Sequence, residues 1–179
     1  MKQLKRCLLL TGIIILSLCA QAQNHSTTIK VQAMDMATAF IKNDFNSFVK
    51  YMHPNIIAIA GGKEKMKAKM DSAYQAMKLF GVNFKRYWIG DPGEIIPYRN
   101  QLQGILPQST TLVTSLGEVT VETSMIVISN DNGQNWWFID TNVYKVDKLK
   151  GILPDISPNL VIPPQKQPKL VPADSTGEN

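Results

Sequence analysis

Asp140 is the residue of this chain whose setting is hardest to explain as ordinary surface. It falls inside W-W-F-I-D-T-N, an aromatic and β-branched run of strand character in which aspartate is disfavoured, so it either faces water or is held for a partner. Strand periodicity places Trp136, Phe138, Asp140, Asn142 and Tyr144 on one face and Trp137, Ile139, Thr141 and Val143 on the other. The mixed aromatic and polar face suits a ligand pocket shared by Phe138 and Asp140. The rarity of buried charge argues instead for a solvent-facing Asp140. In an apolar pocket its pKa would rise, making it a usable base near neutrality. His53, the second candidate base, precedes a proline and also reads as a helix-end residue bonded to backbone. Arg86, in K-R-Y-W, also reads as a strand-edge cation lying over an aromatic ring.

Other chemistries lack their residues. The only histidines are His25 and His53 and the only cysteines Cys7 and Cys19, so a histidine- or thiolate-rich zinc site has no support. No G-x-S-x-G elbow, phosphate-binding loop or dinucleotide fingerprint occurs. Neither a metal nor a cofactor is expected.

The elements that would position these side chains come in two blocks. Ile29, Ala33, Ala37, Phe40 and Ile41 recur at helical spacing, Asn43-Asp44 interrupts them, and Asp44 caps a second short helix carrying Phe45, Phe48, Val49 and Met52 up to His53-Pro54. N-I-I-A-I-A, at Asn55 to Ala60, is short and β-branched and predicts an extended segment. Met66, Met70, Ala73, Met77 and Phe80 predict a third helix stopped by Gly81. Lysines 63, 65, 67 and 69 read as its solvated first turns rather than as a phosphate site. From Asn83 the texture is of strands: N-F-K-R-Y-W-I, Q-L-Q-G-I-L, T-T-L-V-T-S-L, E-V-T-V-E-T-S-M-I-V-I-S and W-W-F-I-D-T-N-V-Y-K-V. Helices followed by antiparallel strands give an α+β fold, with three N-terminal helices packed on one face of a curved sheet.

Between the last two strands, S-N-D-N-G-Q-N-W at Ser129 to Trp136 resembles the Asp-box, a hairpin-turn signature of sialidase propellers and other secreted glycan-binding proteins. Its working parts are an aspartate that accepts backbone hydrogen bonds, a glycine with positive φ and a tryptophan packed beneath the hairpin. A propeller needs several blades, and a single copy predicts a hairpin rather than a sugar hydrolase.

Both ends of the chain differ from the domain between them. M-K-Q-L-K-R, an apolar run of about 14 residues and A-Q-A at Ala20 to Ala22 have the order of a secretory signal peptide, 1–22, expected to be cleaved before Gln23. The run is too short for a permanent membrane span, and L-S-L-C makes a lipid anchor on Cys19 the competing outcome. Cleavage predicts an exported, periplasmic or extracellular, thiol-free protein. It also lowers the net charge from +5 to about +2, removing the argument for a nucleic-acid partner. Residues 158–179 are rich in proline and are expected to be extended or disordered. The folded domain is then 27–157.

The element order over Thr27 to Val146 resembles the nuclear transport factor two-like, or cystatin-like, α+β cone. N-D-F-N-S-F-V-K-Y-M-H-P, N-I-I-A-I-A and G-G-K-E-K-M carry the resemblance. It implies a pocket between helices and sheet, with His53, Arg86, Tyr98, Phe138 and Asp140 as the residues to line it, but it implies no one reaction. The leading expectation is a noncatalytic small-ligand-binding or accessory module for an apolar ligand. The alternatives are a metal-free isomerase, dehydratase or cyclase using Asp140 or His53 as base, and a homodimeric interaction protein.

Overall fold

The computed structural model describes residues 25–144 and 146–173. The leader 1–22, with Cys19, lies outside them, as do the last residues of the tail. The described chain is α+β: five helices and a six-stranded antiparallel sheet. The first helix, α1, occupies 25–41 and buries Ile29, Ala33, Met36 and Ala37 along the face that its spacing predicts. Asn43, at φ 55°, breaks it. The Asp44 carboxylate then accepts from the Ser47 amide at 3.1 Å and caps α2, Phe45–Phe48, which runs into a 3-10 turn, Val49–Tyr51.

The helix count of three is corrected to five, at two places. Asn55 to Ala60, expected to be extended, belongs to α3, Pro54–Ile59. Pro54 stands in the first turn with its φ already set, His53 Nδ1 accepts from the Asn55 amide at 3.2 Å, and Ile56 is fully buried. Capping and burial outweigh the modest strand preference of isoleucine. The other addition is α5, Val146–Ile152, which begins at the residue where the last strand was expected to end. Between α3 and α5 the fourth helix, α4, spans Lys63–Leu79 and buries Met66 and Met70. Beyond Met70 its apolar stripe projects from the body: Ala73 is exposed, and Leu79 and Phe80 are 80% and 70% exposed.

The strands are β1 (Asn83–Ile89), β2 (Ile96–Tyr98), β3 (Gln101–Thr114), β4 (Gly117–Ser129), β5 (Trp137–Asp140) and β6 (Lys169–Pro172). They run β1-β3-β4-β5, with β2 also on β3 and β6 also on β4. The two apolar runs expected as separate strands are one continuous β3 through Pro107. The Pro107 carbonyl accepts from the Gly90 amide at 2.9 Å, so the side on which proline lacks its donor faces the loop after β1 and no bond to β4 is lost.

Alternate residues of β4 divide the core. Met125 and Val127 cluster with Ile29, Ala33, Met36, Leu106 and Phe138 under α1. Ile126 and Ile128 cluster with Ile56, Ile139, Leu149 and Leu153 under α3, α5 and the segment after it. Helices therefore cover both faces of the sheet at its β4–β5 end, not one face as expected.

Within the described residues of the tail, Lys169–Pro172 enters a ladder that the prolines argued against: β6 pairs with Gly117 to Thr120. Glu122 takes ion pairs from Lys166 and Lys169, both at 2.7 Å, which hold its carboxyl down to about 2. Gly117, at φ 125°, admits the tail: a Cβ there would collide with the Val171 carbonyl.

Candidate functional site

A cavity of about 520 Å³ lies between α1, α2, α4 and the sheet, within the size range of small-molecule sites. Its walls are mostly apolar and five of its lining residues are methionines: Met36, Met52, Met66, Met70 and Met125. Unbranched, polarisable side chains of this kind adapt to ligands of different outline. Phe40, Phe48 and Phe84 supply flat surface, and exposed Ile59, Lys69 and Val143 stand at the rim.

One corner is polar. Asp140, at the end of β5, is half-buried and lines this cavity, so it faces neither open solvent nor a dry core. Gln108 of β3 organises the corner: its Nε2 donates to Asp140 Oδ2 at 2.8 Å and to Thr123 Oγ1 at 2.9 Å, and its Oε1 accepts from the Tyr87 hydroxyl. Asp140 Oδ1 accepts from the Asn142 amide at 2.7 Å, closing the turn that ends β5, with a further bond from the Val143 amide. Burial raises the Asp140 pKa, opposed by these donors. Burial, and secondarily the charge on Asp140, raises that of Tyr87. Thr110 and Tyr144 complete the polar lining.

The residues expected to share a pocket do not all meet. Phe138 shares the sheet face of Asp140 but is sealed in the cluster under α1 and does not line the cavity. Arg86 is exposed on β1. A bulge between Phe84 and Arg86 shifts the register, so Phe84, Tyr87 and Ile89 turn inward where strict alternation would have brought Arg86 and Trp88. Tyr98, on β2, lies beside the Arg99 guanidinium, 5.5 Å from its ring centre, away from the cavity. His53 caps α3, packs edge-on against Trp137 at 4.9 Å and borders a separate cleft of about 40 Å³; burial lowers its pKa. Gln108 and Tyr87 were missed because a glutamine in a strand has no distinctive sequence signal and because bulges are not written in hydrophobic periodicity.

The Asp-box-like segment is occupied with its own turn. Asp131 accepts from the Ser129 hydroxyl at 2.8 Å and from the Asn135 amide and side chain at 2.9 and 2.7 Å. Gly133 has φ 83°, and its carbonyl accepts from Trp136 Nε1 at 3.0 Å. Gln32 of α1 donates to the Gln134 carbonyl and accepts from the Trp136 amide, both at 2.8 Å, tying the hairpin to the first helix.

Asp140→Asn tests the environment of the carboxyl. The variant is accommodated if Gln108 turns its amide over, placing Oε1 toward the new amide and Nε2 toward Tyr87. An acid whose folded-state pKa is raised binds its proton more tightly when folded, so its contribution is fully present below the unfolded value near 3.8 and is lost as pH rises through the raised value. The melting temperature of Asp140→Asn relative to the native protein should therefore improve between pH 4 and pH 7. A difference that is flat or falls with pH would show an unshifted or lowered Asp140.

Among the described residues, no cluster of three or more histidine, cysteine, aspartate or glutamate side chains could hold a metal ion, and no helix is long and apolar enough to cross a membrane. Comparison with protein families, curated proteins and solved structures finds no match to this chain.

Proposed function

We propose that this protein is an exported, noncatalytic small-ligand-binding or accessory module of the nuclear transport factor two-like cone, and that its ligand occupies the methionine-lined cavity. The observation that carries the reading is the cavity itself: about 520 Å³ of mostly apolar wall with one ordered polar corner. Apolar walls supply affinity and a few fixed polar groups supply orientation, the usual division of labour in small-molecule sites. The corner favours binding over catalysis because the donors of Tyr87 and Gln108 are spent internally. The Tyr87 proton is given to Gln108, and both N–H groups of Gln108 are given to Thr123 and Asp140. Neither Tyr87 nor Gln108 is therefore left to serve as the acid of a general acid and base pair with Asp140.

The position and raised pKa of Asp140 favour a second reading, proton abstraction from an apolar substrate with Asp140 as base. Native mass spectrometry of the gently purified chain, followed by calorimetry with apolar small molecules, tests the first reading. A retained or added molecule in one-to-one ratio, recovered unchanged, is expected. Recovery of a chemically altered molecule would favour the second, and no uptake of any apolar probe would remove both.

A further inference from the structure

The polar corner has acceptors to spare and a charge without a partner. A carboxylate offers about four acceptor sites. Three of those on Asp140 are taken, by the Asn142 and Val143 amides and by Gln108 Nε2. The Tyr87 oxygen, having donated its proton to Gln108, presents only lone pairs. Thr110 and Tyr144 hydroxyls serve in either sense. No ion pair reaches Asp140 among the described residues, and the one lysine lining the cavity, Lys69, is exposed at its rim. Carboxylates withdrawn from water are ordinarily paired with a cation or richly hydrogen-bonded, and this one retains capacity for one more donor on its cavity side.

The geometry points to an apolar ligand that ends in a protonated amine, with the ammonium group donating to Asp140 and to the Tyr87 oxygen while the hydrocarbon body lies among the five methionines. The inference rests on the small-ligand reading of the same cavity and adds the chemistry of the head group. Anionic amphiphiles are disfavoured, because their carboxylate would meet the Asp140 charge and find the donors of Gln108 already used. A neutral alcohol donates one hydrogen bond without the charge and stands between the two.

The test uses the folded chain and three probes that share an octyl chain: octylamine, octanol and octanoate. Titration calorimetry at neutral pH should give octylamine the highest affinity, about tenfold or more above octanol, with octanoate weakest, since a hydrogen bond between charged groups exceeds a neutral one by about that factor. Asp140→Asn should remove the amine preference, bringing octylamine and octanol to within about threefold of each other, a small difference on this scale. Equal affinity for all three probes, or preference for octanoate, would overturn the amine inference and leave the apolar pocket standing. Failure of every probe to bind would overturn the pocket reading as well. The native-protein comparison decides the matter even if the variant does not fold.

Discussion

Replacing Trp136 by alanine should cost about 3–5 kcal/mol of folding stability, the usual range for removing a large buried aromatic. For a domain of this size the midpoint of thermal unfolding would fall by roughly 10 °C or more. Trp136 is 1% exposed, bonds the Gly133 carbonyl through its ring nitrogen, and takes a bond from its own amide to Gln32 of α1. Its loss empties a site in the α1 cluster and leaves the Gly133 carbonyl without the indole donor, while the backbone bonds to Gln32 remain. Gly133→Val should act in the same direction by about 1–3 kcal/mol, because valine resists positive φ and its side chain would meet the His25 ring. Both measurements are melting curves. A Trp136→Ala protein that melts within a degree or two of the native one would show that the segment is not a structural turn and would reopen glycan binding.

The second large effect is expected at Thr110. This residue of β3 is half-buried, pairs with Tyr87 and Val121, and points into the cavity. Tryptophan is well accommodated in strands, and the open volume lets its ring fill the cavity instead of forcing the wall apart. Thr110→Trp should weaken binding of an apolar fluorescent probe by about a hundredfold, equivalent to roughly 3 kcal/mol of burial denied to the ligand. Stability should change by less than about 1.5 kcal/mol, as for other tolerated core changes. Fluorescence titration of a variant verified as folded by its melting curve makes the check. A folded Thr110→Trp protein that binds the probe as tightly as the native chain would place the ligand elsewhere.

The residues that organise the cavity show which parts of the structure local sequence encodes. The α1 stripe, the Asp44 cap, the Gly81 stop and the hairpin at Asp131 to Gly133 are local rules, set within a few residues, and each is present. So is the α+β class, because helical spacing gives way once to strand alternation. The sharing of one sheet face by Phe138 and Asp140 follows from alternation alone.

Tertiary structure decided the rest, where competing local preferences are close in energy or where a single inserted residue changes the outcome. Pro54–Ile59 is helical because His53 caps it and Ile56 finds a buried place, conditions absent from N-I-I-A-I-A taken alone. One bulge after Phe84 exchanges Arg86 for Tyr87 at the cavity wall. Gln108 and Asp140 lie 32 residues apart and become partners only because β3 and β5 flank β4. The sequence by itself determined an aspartate within an aromatic run of strand character. Only the fold placed that carboxylate against a methionine-lined space and surrounded it with donors, because a cavity is bounded by distant segments whose meeting no local pattern records.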